Sequence, residues 1–408
     1  MNKTIEKAYA KLIVTSGLAL KKGQSVIIKA NADIEDFVCL VTKECYAQGA
    51  KYVHVLWQSE KVNKVQMKKA STKALCETLP MEVAYQQWFT KELPAYLWLD
   101  SDDPDASKGI DAAKAAKIKR EKYKAVAEYI EARENKYQWC ICGVPSKKWA
   151  KKVFPSLTLA KAKEKLYEAI LLTSRASDGN GIFNWEKHDE ILKNRCSYLN
   201  SLHLKSLHYT SSNGTNLKVG LIPNVIWLGG GEKTLDGTFF QPNIPSEEVF
   251  TSPKKGEAEG IVYSAKPLVY QGQLIKDFWV KFEKGKAIDV HAEVGEEALR
   301  SILTLDEGSA YLGECALVPF DSPINNTGLL FYNTLFDENA ACHLALGRGF
   351  TTLYPHFENY SEDELHSFGI NKSLSHVDFM IGSKDLNIVG ETIDGKQAQI
   401  FKDGNWAF

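Results

Sequence analysis

The sequence predicts an α/β protein in two parts: a doubly wound, mainly parallel α/β domain over residues 1–190, then a mixed α+β domain over 191–408. Three observations predict it. Short apolar runs alternate with amphipathic stretches through the first half, and strand–helix alternation builds parallel sheets. From about His208 the texture changes to short strand-like runs separated by Gly, Asn and Asp-Gly turns. A chain of 408 residues, at roughly 150 residues per domain, has room for two or three cores.

In chain order, residues 25–30 (SVIIKA), 52–57 (YVHVLW), 96–99 (YLWL) and 139–143 (WCICG) read as strands. Between the first two, residues 33–48 place Ile34, Phe37, Val38, Val41 and Cys45 at helical spacing, with Asp33 as the expected N-cap. The turn after the first strand, Asn31-Ala32-Asp33, lacks the glycines of a dinucleotide or phosphate loop, so no nucleotide site is expected. Residues 105–134 are rich in Ala and Lys with charges of both signs, and read as one long solvated helix. Helices over 157–177 and 185–202 bridge to the second half.

There, residues 217–222, 225–228, 260–265, 277–283 and 310–318 read as strands. Gly229-Gly230-Gly231 and Asp236-Gly237 suit hairpins, because no helix is signalled after them as a phosphate cradle would need. A helix is expected over 337–347, opened by Asp337 and closed by Gly347.

A net charge of −1 excludes the basic face of a nucleic-acid binder or of a surface drawn to acidic lipid. No apolar run approaches the ~18 residues of a membrane span. Residues 12–20 are interrupted by Thr15-Ser16-Gly17, with no cleavage site after them. The eight cysteines are scattered, and Cys140 and Cys142 share one face of a strand as small core residues rather than as a zinc or redox pair. A reducing, cytoplasmic location is expected.

Metal-ligand residue types gather in the second half. Glu314 lies in the apolar run Tyr311–Val318, where a carboxylate is costly to bury unless paired or bound to a cation. His343 stands among Ala340, Ala341, Leu344 and Leu346. His376 and Asp378, two apart on an extended segment, point the same way and can reach one ion. Each has a plain structural reading as well: a hydrogen-bonded core histidine, a chance His-x-Asp, a carboxylate paired with lysine.

The motifs Gly214-Thr-Asn-Leu-Lys-Val-Gly-Leu221, Trp227-Leu-Gly-Gly-Gly-Glu232, Asn243-Ile-Pro-Ser-Glu-Glu-Val-Phe-Thr251, Leu312-Gly-Glu314 and Val318-Pro-Phe-Asp-Ser-Pro323 follow in order. Phe336-Asp-Glu-Asn-Ala-Ala-Cys-His-Leu-Ala-Leu-Gly347 and His376-Val-Asp-Phe-Met-Ile-Gly-Ser383 complete the series. Together they resemble the thermophilic metallo-aminopeptidases of the aminopeptidase T, AmpS and PepS type. The resemblance implies metal ligands at Glu248, Glu314, His343, His376 and Asp378, holding two divalent ions (Zn, Co, Mn or Mg) with Glu314 as the bridge. It implies removal of N-terminal residues from peptides by a metal-activated water, in a homodimer. Glu314 and Glu247 are the expected catalytic carboxylates, Glu247 as proton carrier, with an ordinary surface carboxylate as the alternative. Cys315 and Cys342 flank two ligands and read as core.

The chain departs from the pattern once. Seven residues beyond His343 the family has a tyrosine, and here Phe350 stands, with Tyr354 four residues on as a substitute donor. Two alternatives therefore stay open: a metallohydrolase acting on something other than peptides, and a weakly active metal-binding homologue.

Overall fold

The computed structural model describes residues 3–270 and 272–408. The chain divides into two compact units, one of Met1–Glu186 with Gly231–Pro245, the other of Lys187–Gly230 with Ser246–Phe408.

The first unit is built on a parallel sheet of five strands in the order Asn243–Ile244, Trp139–Gly143, Ala95–Asp100, Ser25–Asn31, Tyr52–Gln58. Val26, Ile27 and Ile28 are all fully buried, as strands covered on both faces must be. The helix Glu35–Ala47 buries Phe37, Val38, Val41 and Cys45, the stripe its spacing predicts. Asp33 is not its cap: a single 3₁₀ turn, Ala32–Ile34, precedes the helix, Ile34 stands at the cap, and the Asp33 carboxylate accepts from the Lys147 amide at 3.5 Å. The single helix expected over 105–134 is two, Ala112–Lys124 and Ala127–Ala132. Asp111 caps the first through the Lys114 amide, and Val126 leaves helical geometry between them to bury its side chain. Asp236-Gly237 closes a hairpin between Glu232–Lys233 and Phe239–Phe240, with Gly237 at φ +85°.

The second unit holds two antiparallel sheets. The larger joins Leu204–Thr210, Asn216–Leu221, Pro253–Tyr263, Gln273–Glu283, Lys286–Val294, Asn387–Thr392 and Gln397–Lys402, with the short strands Leu268–Tyr270 and Asn405–Trp406 at its ends. The smaller runs in the order His376–Met380, His343–Gly347, Leu312–Leu317, Val249–Thr251, Leu228–Gly229. One apolar cluster draws on both, including Tyr209, Val219 and Phe278 from the first and Leu317, Leu344 and Phe379 from the second.

The helix expected over 337–347 is overturned. A single turn, Thr334–Asp337, passes into a 3₁₀ turn, Glu338–Ala340, and His343–Gly347 is a central strand. Ala and Leu are strong helix formers, and their run disguised an alternation of period two. Cys342, Leu344 and Leu346 enter the core, while His343 and Ala345 face the other way. Asp337 opens no long helix; its buried carboxylate reaches back to accept from the amides of Phe331 at 2.8 Å and Asn333 at 3.0 Å.

Candidate metal centre

The smaller sheet places the polar residues by register. Glu314 pairs with Ala345, which pairs with Asp378; Ala316 pairs with His343, and Gly347 with His376. Directly paired residues, and residues two apart on a strand, share a face. Glu314, His343, His376 and Asp378 therefore rise from one face. Glu248 joins them two residues before Phe250, which pairs with Ala316. Ala316 and Ala345 lie between the ligand-type residues, with side chains of a single methyl group. On the opposite face Cys315, Leu344, Val377 and Phe379 are core, with the Cys315 thiol donating to Thr251 O at 3.6 Å.

Two groups of three result. Glu248, Glu314 and His343 form one, and Glu314, His376 and Asp378 the other; within each, the ligand atoms lie within 4.8 Å of one another. Glu314 belongs to both. His343 Nε2 is 3.2 Å from Glu248 Oε2. His376 Nε2 is 3.0 Å from Glu314 Oε2 and 3.2 Å from Asp378 Oδ1.

Each imidazole is steered from behind. Nδ1–H of His343 donates to Ala341 O at 3.2 Å, and that of His376 to Arg348 O at 2.7 Å. This turns Nε2 of both rings toward the carboxylates, the arrangement that fixes a metal-binding histidine.

The electrostatics describe a crowd of buried carboxylates. Burial pushes the Glu314 carboxyl up to about 7, against the hydrogen bond from His376. Burial favours the neutral ring of His343, yet the hydrogen bond and charge of Glu248, with Glu314 and Asp378 behind, lift it to about 10. His376 is raised by Asp378 and Glu314 in the same way. Asp378 is held low despite burial, by the charges of His376 and His343. Protons on the imidazoles thus neutralise what a cation would neutralise. Asp378 Oδ1 is buried, with His376 Nε2 at 3.2 Å beside it. The donor set of carboxylates and imidazoles without a thiolate fits borderline or hard divalent ions.

A fourth carboxylate, absent from the sequence expectation, faces the same space. Burial and the charges of Asp378 and Glu248 push Glu338 well above the usual carboxylate range. It lines a cavity of about 50 Å³ with Asp378, Tyr332, Leu268 and Met380. Glu338, like Glu314, is a carboxylate whose desolvation is costly unless a partner or a cation offsets it. The helix expectation hid it, because acids in a first helical turn need no other reason.

Glu247 lies outside both groups. It is 4% exposed rather than on the surface, with Oε2 3.9 Å from His188 Nε2 and its amide donating to Asn339 Oδ1 at 2.7 Å. The Phe350 ring lies against His376, and its amide donates to Ser252 Oγ at 2.9 Å. Tyr354 instead stacks on Phe368 at 4.7 Å and meets Tyr360 edge-on. Cys140 and Cys142 are fully buried, free, and in the other unit.

A two-unit α/β chain with a carboxylate–imidazole centre on one sheet face has the make-up of a metal-dependent hydrolase. Residues 2–406 match the model of the thermophilic metalloprotease family (M29), and the chain belongs to that family. It is 42% identical to aminopeptidase AmpS of Bacillus subtilis (strain 168), over 98% of each chain. It is 39% identical to aminopeptidase 2 of Geobacillus stearothermophilus, over 98% of this chain and 97% of that one. The solved structure of wild-type AmpT from Thermus thermophilus superposes with a TM-score of 0.90 at 35% identity, covering 100% of this chain and 99% of the other.

Proposed function

We infer that this chain is a metal-dependent aminopeptidase whose Glu248, Glu314, His343, His376 and Asp378 hold two divalent ions, Glu314 being shared between them. The observation that carries the reading is the pair of ligand groups meeting at Glu314. Charge supports the count, because two divalent cations balance the four carboxylates Glu248, Glu314, Glu338 and Asp378 while both imidazoles stay neutral. Glu338 completes the set on this reading.

Bound there, such ions supply Lewis-acid polarisation and a water acidic enough to ionise near neutral pH. The chain's own residues do the rest. The carbonyls of Ala341 and Arg348 orient the two rings, and Phe250 and Phe350 wall one side against water. Glu247 is the proposed proton carrier to the leaving amine, its carboxylate buried near His188. Zn, Co, Mn and Mg all suit the donor set. The domain over 191–408 is the catalytic one on this reading, and the chain forms a homodimer, as the family resemblance implies.

Its substrates are peptides with a free N-terminus, for which a carboxylate-rimmed site is suited. Its eight free cysteines accord with a cytoplasmic location. Among the described residues no helix is long and apolar enough to cross a membrane. Reloaded with Co²⁺, Zn²⁺, Mn²⁺ or Mg²⁺, the protein should release N-terminal residues from short peptides and spare N-acetylated ones. Equal cleavage of blocked and free peptides would sink the exopeptidase reading.

A further inference from the structure

We propose that the first unit carries a second ligand site, for a small aromatic carboxylate of about amino-acid size, built around Arg133. A cavity of about 230 Å³ opens there, walled by Tyr85, Phe89, Tyr96 and Tyr137, with Arg133 and Gln86 as its polar members. At about 30 Å³ per water it has room for roughly seven or eight waters, the bulk of one aromatic amino acid.

Arg133 is 6% exposed. Among the described residues no carboxylate pairs with it. Its Nη1 donates to Thr90 Oγ1 at a long 3.4 Å, and its Cζ stacks 4.1 Å over the Phe89 ring. Its Nε is buried with no acceptor. A guanidinium has five N–H donors, and Arg133 has only neutral partners, the Thr90 hydroxyl, the Tyr137 phenol and a ring face, with Nε left over, which is costly for a buried cation. The Gln86 side-chain oxygen, in the same cavity, is also buried without a donor. Two unsatisfied polar groups converging on one aromatic-walled cavity are the features of a ligand site rather than of a packed core.

The walls suit the same ligand. Phe89 meets Tyr137 edge-on at 4.9 Å and stacks on Tyr96 at 6.0 Å, so a flat ring finds aromatic faces and edges to join. Burial pushes the Tyr85 phenol up to about 12 and raises Tyr96 and Tyr137 as well, against the charge of Arg133. All three hydroxyls therefore remain protonated and able to donate. A carboxylate accepts from the guanidinium and the phenols. The Gln86 amide meets a second polar group on the ligand, such as an α-amine.

Titration calorimetry on the full chain, stripped of metal by a chelator so that the metal centre cannot contribute, tests this. The probes are phenylalanine, 3-phenylpropanoate, which lacks the amine, and phenethylamine, which lacks the carboxylate. One equivalent of phenylalanine or phenylpropanoate should bind saturably and phenethylamine should not. Arg133→Met should weaken binding at least about tenfold, the loss expected of a charged hydrogen bond. Tighter binding of phenylalanine, abolished by Gln86→Leu, assigns the ligand as an amino acid; equal binding assigns a simple aromatic acid. No saturable binding of either carboxylate by ~10 mM, or unchanged affinity in Arg133→Met, overturns the proposal. If Arg133→Met does not fold, phenethylamine binding as tightly as phenylpropanoate overturns it instead.

Discussion

The Phe350 ring sits 5.1 Å from that of His376, tilted by 55°, with Phe250 edge-on to it at 5.3 Å. A residue that the family resemblance makes a tyrosine thus touches a proposed metal ligand here without a hydroxyl. One donor aimed at developing negative charge is typically worth ~10²–10³ in turnover. Phe350→Tyr is expected to raise the turnover number at least about tenfold and leave metal affinity nearly unchanged. Steady-state kinetics on the two proteins checks it, and an unchanged or lower turnover means that the missing hydroxyl does not limit this enzyme.

Glu314 is common to both ligand groups. Glu314→Ala is expected to lose both ions, while Cys140→Ala and Cys142→Ala keep them. Metal analysis of the purified variants decides, and two ions per chain retained in Glu314→Ala would refute the bridging role.

Metal binding should depend on pH with a definite sign. His343 holds its proton up to about pH 10, and His376 is raised likewise, as long as carboxylates are their partners. Ligation requires both rings neutral, so binding releases protons and affinity rises with pH. Between pH 6 and 8 the apparent affinity should rise at least about tenfold per unit, the slope for one released proton. Calorimetry in buffers of different ionisation enthalpy counts the protons; a count of zero contradicts this account.

Asn339 joins the two segments that carry Glu248 and Glu338. It is fully buried, its Oδ1 accepting from the Glu247 amide at 2.7 Å and its Nδ2 donating to Leu335 O at 3.0 Å. Asn339→Ala leaves both backbone groups without these partners and should lower stability by about 1–3 kcal/mol. Denaturant unfolding measures this, and a change below ~0.5 kcal/mol would mean the amide is not the tie between the segments.

Four strands of the parallel sheet were legible: SVIIKA and WCICG are apolar runs too short for helices and bounded by turn residues, whereas the two-residue edge strand Asn243–Ile244 is too short to carry such a pattern. The smaller sheet was legible only in part. The segment around Glu314 reads as a strand, but that around His343 is written in helix formers, and only its neighbours on either side make it a strand. The proposed ligands lie on segments separated by as many as 130 residues, so no local spacing could join them, and ordered family motifs did. Glu338 stayed hidden for the same reason that His343 was misplaced. Arg133 carried no signal at all, since an arginine in a charged run looks solvated until the structure shows what surrounds it.

The first unit is assembled from two stretches, and its edge strand Asn243–Ile244 arrives from the second, pairing with Trp139–Gly143 about a hundred residues after that strand is made. During synthesis the ribosome must deliver residue 244 before this sheet can be completed. Until then the Trp139–Gly143 strand presents an uncovered edge, open to strand pairing from other nascent chains. No single cut separates the units either. A gene fragment ending near residue 186 would encode the sheet without its last strand, and should be more prone to aggregate than one that carries residues 231–245 on a short linker.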